Sequence, residues 1–141
     1  MRALVQRVGR AAVRVDGATV GAIGPGLLVL LGVTHDDTPE TADRLADKVR
    51  ALRVFADAEG RMNDALGERE VLVVSQFTLY GDARRGNRPS YTAAARPEHA
   101  EPLYERFADR LGAARGTFGA LMEVELVNDG PVTLMLEAPS A

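Results

Sequence analysis

Apolar residues alternate with arginine and glutamine through MRALVQRVGRAAVRV, and residues 2 to 8 and 11 to 15 are rich in Val, Leu and Ala. Both stretches read as strands, and Asp16-Gly17 is a hairpin signal leading into ATVGAIG, so the chain is expected to open with β-hairpins. Gly24-Pro25-Gly26 punctuates the pattern. LLVLLGV then forms an unbroken apolar run short enough for a strand buried on both faces, and it is assigned to the centre of the sheet. The pattern changes period after Thr38-Pro39-Glu40, an N-cap followed by a proline at the first helical position and an acid suited to the helix dipole. Ala42, Leu45, Ala46, Val49 and Leu52 follow at helical spacing.

EVLVVSQFTLY returns to strand character, and GDARRGNRPSYTAAARP reads as a long ordered loop. Pro97 opens a second helix with an apolar stripe of Leu103, Phe107 and Leu111. In LMEVELVN, Met122, Val124 and Leu126 alternate with Glu123 and Glu125, as in a strand with one wet face. The order β-β-β-α-β-α-β-β predicts an α+β fold, mostly antiparallel, with both helices on one side of the sheet. At 141 residues, with no repeats or linkers, the chain is expected to be a single domain over residues 1–141.

The last strand pattern breaks at Asn128-Asp129-Gly130-Pro131 and resumes at once with Val132-Thr133. Asn, Asp and Gly supply unusual backbone angles or local side-chain bonds, and Pro131 offers no N–H to a ladder. One reading is a hairpin turn. The other is a backbone device that presents the Gly-Pro carbonyl groups in a fixed direction.

Composition narrows the chemistry. Without cysteine there is neither disulfide nor thiolate catalysis, and a zinc site would depend on His35, His99 and carboxylates. His35-Asp36-Asp37 precedes a helix N-cap, where small acids have a structural use, and His99 sits beside Glu98 and Glu101 on an expected solvated helix face; no metal and no cofactor are expected. The net charge of −3 argues against a generally basic nucleic-acid coat, although Arg84, Arg85 and Arg88 crowd one loop with Asn87 and Ser90. Their forked donors suit phosphate, and with Lys48, Arg50 and Arg53 they form a candidate phosphate-binding surface, against the alternative of a plain solvated charge run. The arginines that interrupt the first residues leave no apolar core for a secretion signal, and nothing later is long enough to span a membrane. A cytoplasmic protein without a membrane partner is expected.

Hydrolase elbows, phosphate loops and dinucleotide fingerprints are missing from the sequence. What stands out is polarity inside VLVVSQFTL: strand alternation would put Gln76 and Thr78 on one face, as a pocket wall, and Ser75 with Phe77 on the other.

Ser75-Gln76-Phe77-Thr78-Leu79 and Asn128-Asp129-Gly130-Pro131-Val132-Thr133 resemble the motif pair S-Q-x-T-L and N-x-G-P-V-T of the D-aminoacyl-tRNA deacylases. MRALVQRV, GLLVLLGV and NRPSY resemble that family too, with Tyr91 where phenylalanine is common. The resemblance implies a barrel-like core with two covering helices and a homodimer. It implies hydrolysis of the ester joining a D-amino acid, or glycine, to the 3′ end of tRNA, so the partners are D-aminoacyl-tRNA and glycyl-tRNA rather than DNA. It places catalysis at Ser75, Gln76, Phe77 and Thr78 and substrate binding at Asn128, Gly130, Pro131, Val132, Thr133 and Arg7. The Gly-Pro bond would be cis and reach the partner subunit's pocket as a chiral filter, with Arg7 bracing its carbonyls. An aminoacyl ester is already activated, so the ribose 2′-OH and backbone N–H groups near Phe77 and Thr78 could suffice for catalysis. Thr78 as nucleophile is the alternative mechanism, lacking an obvious base. A non-catalytic RNA-end binding module is the alternative from another class.

Overall fold

The computed structural model describes residues 1–139. Strand β1 (Arg2–Val15) is one continuous strand where the sequence suggested two, with Gly9 and Arg10 exposed between its halves. Only one hairpin opens the chain. It turns at Asp16 and Gly17, with φ of 49° and 80°, the doubly positive pair that a tight two-residue hairpin demands. Strand β2 (Ala18–Ile23) returns along the second half of β1, and β3 (Gly26–Gly32) pairs with its first half, Arg2 opposite Gly32 and Val8 opposite Gly26.

Helix α1 (Pro39–Ala51) starts at Thr38, whose hydroxyl accepts from the Thr41 backbone while the Thr41 hydroxyl accepts from the Thr38 N–H. A small ribbon, β4 (Phe55–Ala56) with β5 (Met62–Asp64), follows; strands this short leave no periodic trace in sequence. Strand β6 (Glu70–Ser75) lies parallel to β3, which the intervening α1 crossover makes possible. Gly26 is required there, because a Cβ on it would sit 1.8 Å from the Glu70 carbonyl oxygen. Helix α2 (Pro97–Leu111) leads to β7 (Ala114–Arg115), parallel to β6, and then to β8 (Glu123–Glu137), antiparallel to β1 along nearly its whole length.

The sheet order is β2-β1-β3-β6-β7, with β8 on the free side of β1. Its far ends approach each other: a Cβ on Gly21 of β2 would meet the Arg115 carbonyl oxygen of β7 at 2.6 Å, so the sheet is nearly closed like a barrel. Both helices pack on one face, where Leu45, Val49, Leu103 and Phe107 meet Leu27, Val29 and Val73. Val8, Val13, Leu28, Leu72 and Val74 fill the other face. The architecture is α+β, as expected. No helix among the described residues is long and apolar enough to cross a membrane.

Two further strand readings fail. The run through residues 70 to 80 stops at Ser75, and Phe77–Tyr80 forms a turn of 3₁₀ helix. The alternation assigned to Gln76 and Thr78 therefore does not exist. In the last strand there is no hairpin at residues 128 to 131, because β8 continues in the same direction against β1.

Candidate active site

Ser75 ends β6 opposite Leu31, and the Gln76 N–H is held by the Leu31 carbonyl at 2.7 Å. Gln76 then leaves the strand with φ −140° and ψ 79° and starts the 3₁₀ turn. The first N–H groups of such a turn have no partner within it. Among the described residues the N–H groups of Phe77 and Thr78 have no acceptor at all, whereas those of Leu79 and Gly81 bond to Gln76 and Thr78. Two adjacent backbone donors are thus left unused.

A pocket of about 630 Å³ opens beside this turn, lined by Ser75, Gln76 and Phe77 but not by Thr78. Val33, Val74, Ala100, Phe118 and Met122 make apolar walls, while Ser75 and Gln76 supply polarity. At its mouth Phe77 meets Tyr91 edge to face, ring centres 5.2 Å apart, although the two side chains remain 56% and 40% exposed. Phe118, from a turn distant in the chain, carries no signal in the sequence, and Met122 was legible only as an apolar residue of the last strand pattern.

Thr78 is exposed, and its Oγ1 accepts a hydrogen bond from Gln76 Nε2. A nucleophilic hydroxyl needs a base to receive its proton. The Gln76 amide group bound there is a donor and cannot serve. Neither histidine is nearby in the hydrogen-bond network: His35 Nε2 bonds to the Thr92 carbonyl at 2.7 Å, and His99 Nε2 to the Asp37 carbonyl at 2.8 Å. The His99 ring, expected to be simply solvated, therefore ties α2 to the start of α1. The Asp37 carboxylate is buried, 2.8 Å from the Met1 ammonium and 2.7 Å from the Thr34 N–H. No group of three or more potential metal ligands is assembled among the described residues.

The second motif is an excursion within β8. Gln6 pairs with Thr133 and Val8 with Asn128, so β1 has one residue, Arg7, where β8 has four, residues 129 to 132. Gly130 has φ +129°, and a Cβ on it would lie 2.9 Å from Val132 Cγ2 and 3.0 Å from Arg7 Nη2. The Gly130–Pro131 peptide bond is cis. Arg7 Nε donates to the Asp129 carbonyl at 3.1 Å and Nη1 to the Val54 carbonyl at 2.6 Å, with the Asp129 carboxylate 3.5 Å from Nε. The carbonyl that Arg7 holds thus belongs to the residue before the Gly-Pro unit. Asn128 bonds to the Val132 N–H and the Thr133 hydroxyl.

Within one chain the two motifs stay apart. Arg7 is opposite Leu27, and Leu27 is opposite Val71, four residues before Ser75. That is roughly 13 Å along the strands and roughly 14 Å across them from β8 to β6. Residues 128 to 133 line no part of the pocket, and Gly130 and Pro131 are exposed.

The arginine loop is closed at its base by Asp82 and Ser90, which exchange backbone hydrogen bonds of 2.7 and 2.8 Å. Arg84 folds back onto Asp82 in a fork of 2.9 and 2.7 Å, which holds the Asp82 carboxyl down at about 2. Arg85 and Arg88 have neither an ion-pair nor a hydrogen-bond partner for their side chains among the described residues.

Comparison with known proteins gives this geometry a family. A model described as D-Tyr-tRNA(Tyr) deacylase matches residues 4–137. The D-aminoacyl-tRNA deacylase of Symbiobacterium thermophilum is 58% identical over 98% of this chain and 96% of its own length, and that of Opitutus terrae 59% identical over 98% and 97%. Among solved structures, a c-Myc DNA unwinding element binding protein superposes with a TM-score of 0.93 at 41% identity, covering 99% of this chain and 100% of its own. A probable eukaryotic D-amino acid tRNA deacylase shares the fold, with a TM-score of 0.82 at 18% identity over 96% and 97% of the two chains. With the motif residues in place and the match running almost from end to end, the chain belongs to the D-Tyr-tRNA(Tyr) deacylase family.

Proposed function

We propose that this protein hydrolyses the ester of D-aminoacyl-tRNA, and of glycyl-tRNA, and that it does so without a side-chain nucleophile. The observation that carries the reading is the pair of unused N–H groups of Phe77 and Thr78 in the turn whose first residues, Gln76 and Phe77, line an apolar pocket. Donors of this kind stabilise the negative charge that develops on a carbonyl oxygen under attack. Water adds to the ester carbonyl carbon, and the tetrahedral intermediate collapses with cleavage of the bond to the ribose 3′-oxygen. The proton lost by the water ends on that oxygen, and the neighbouring 2′-OH assists the attack. The products are the free amino acid and intact tRNA, and the site of action is the cytoplasm, where aminoacyl-tRNA is used.

The acting unit is a homodimer in which Gly130-Pro131 of one subunit enters the pocket of the other. Three features support this. The pocket lacks the second motif in its own chain; Gly130 and Pro131 are exposed; and among the described residues β8 is a long strand paired on one edge only, with Val127, Leu134 and Met135 exposed along it. Such an edge invites a partner. In the pocket, the absence of a Cβ on Gly130 leaves room for the Cα hydrogen of a D-residue, while the side chain of an L-residue meets the Gly-Pro backbone. Arg85 and Arg88 meet tRNA phosphates.

The test is turnover of D-Tyr-tRNA by substoichiometric protein, with L-Tyr-tRNA in parallel. Many cycles on the D-ester alone are expected. Protection of the ester, or no effect, would instead favour an RNA-end binding module. Light scattering at micromolar concentration that finds only a 15.1 kDa species would remove the dimer.

A further inference from the structure

The excursion at residues 129 to 132 begins at Asn128 and ends at Thr133, and these two residues are joined to each other. Asn128 Oδ1 accepts the Val132 N–H at 3.1 Å, a donor that has left the β1 ladder. Asn128 Nδ2 donates to Thr133 Oγ1 at 2.9 Å. From the other strand Gln6 Nε2 donates to the same oxygen at 3.4 Å. A hydroxyl has two lone pairs and one proton. Asn128 occupies one lone pair of Thr133 at an ordinary distance, and Gln6 approaches the other at a long 3.4 Å, so Thr133 Oγ1 is drawn toward both strands.

An asparagine whose two ends are both used in this way is poorly placed to serve chiefly as a substrate ligand. A glycine-containing excursion, in turn, needs something to select one of its many backbone conformations. We propose that Gln6, Asn128 and Thr133 form a polar clamp that fixes the Gly130-Pro131 excursion, and that Gln6 and Asn128 are positioning residues for stereoselectivity. The inference rests on the reading above in which Gly130-Pro131 screens the amino acid. Gln6 is placed for this by the strand register, as the β1 residue directly opposite Thr133 and one position before Arg7.

The experiment compares kcat/KM for D-Tyr-tRNA and L-Tyr-tRNA in the wild type and in Gln6→Ala, Asn128→Ala, Thr133→Val and Thr133→Ser, and follows hydrogen exchange at the Val132 amide. The ratio of L to D hydrolysis should rise at least about fivefold in Gln6→Ala and Thr133→Val, the weight of one lost hydrogen bond, and further in Asn128→Ala. Thr133→Ser, which keeps the hydroxyl, should keep the wild-type ratio. Val132 exchange should quicken about tenfold or more in Asn128→Ala. A merely structural role would change melting and leave the ratio alone. Wild-type ratios in both Gln6→Ala and Thr133→Val, or an equally protected Val132 amide in Asn128→Ala, would overturn the clamp. Should Asn128→Ala fail to fold, the Gln6 and Thr133 variants decide. If the wild type shows no preference for the D-ester, the functional reading fails, and Val132 exchange alone then decides the clamp.

Discussion

Replacing Gly130 with alanine tests the filter at its narrowest point. At φ +129° an L-residue is strained, and the new Cβ would stand 2.9 Å from Val132 Cγ2, 3.0 Å from Arg7 Nη2 and 3.1 Å from the Val132 nitrogen. Two of these neighbours cannot withdraw cheaply. The nitrogen is backbone, and Arg7 is held by the Val54 and Asp129 carbonyls. The conformational cost alone is roughly 1–3 kcal/mol. At about 3 °C per kcal/mol for a domain of this size, Tm should fall by roughly 3–9 °C, leaving the protein folded at room temperature. If the excursion relaxes to escape the strain, the carbonyls proposed to screen the substrate move, and a shift of about 1 Å at a reacting centre is worth on the order of 10²-fold in rate. D-Tyr-tRNA hydrolysis should therefore drop roughly 10- to 100-fold, or L-Tyr-tRNA should become a substrate. Gly24→Ala is the control, since its Cβ would only touch Glu70 Oε1 at an ordinary 3.6 Å. A Gly130→Ala protein with wild-type melting, rate and D-preference would refute the reasoning, because the close approach would then have no consequence.

Thr78→Ala should retain substantial activity while a tRNA ending in 2′-deoxyadenosine is barely hydrolysed, read in single-turnover assays; the reverse pattern would restore threonine as nucleophile. Replacing Arg85 and Arg88 together should weaken binding of all aminoacyl-tRNAs alike and reduce the slope of log K against log salt by about 1.4, with stereoselectivity untouched. An unchanged slope would return both residues to ordinary solvated surface. Tyr104 is buried, with its hydroxyl 3.4 Å from the Val73 and Gly116 carbonyls, and burial pushes its phenol up to about 12. The unfolded chain loses this proton near pH 10 while the folded chain holds it to about 12, so stability should fall as pH rises from 10 to 12. Tyr104→Phe should cost about 1 kcal/mol at neutral pH and flatten part of that alkaline decline, as measured by urea titrations at several pH values.

The elements legible in the sequence were those with long periods or strong punctuation. LLVLLGV became the buried centre of the sheet, Thr38-Pro39 and Pro97 opened the two helices, and Asp16-Gly17 made the hairpin. What failed was decided by long-range pairing. Gly9-Arg10 looked like a break, but β8 pairs with β1 on both sides of it and carries the strand through. Gln76 looked like strand until the Leu31 carbonyl, the last acceptor on the neighbouring strand, fixed where the ladder stops. The motif residues were recognisable by chemistry, whereas the pocket walls, the third anchor of Arg7 at Val54 and the contact of Gln6 with Thr133 depend on residues remote in sequence.

The pairing of β1 with β8 also sets an order of events in synthesis. Val13 meets Val124 and Arg2 meets Glu137, so the outer edge of β1 waits for more than a hundred residues to be made. Contacts of such sequence separation form late and slow the folding of a domain. Until then β1 shows an open edge to other chains, the exposure that favours aggregation of nascent proteins. The strand that closes this edge is also the one that carries Gly130 and Pro131. A chain released before β8 would expose the edge and lack the Gly130-Pro131 excursion together, so protection from misassembly and the segment proposed to discriminate substrates arrive in the same step.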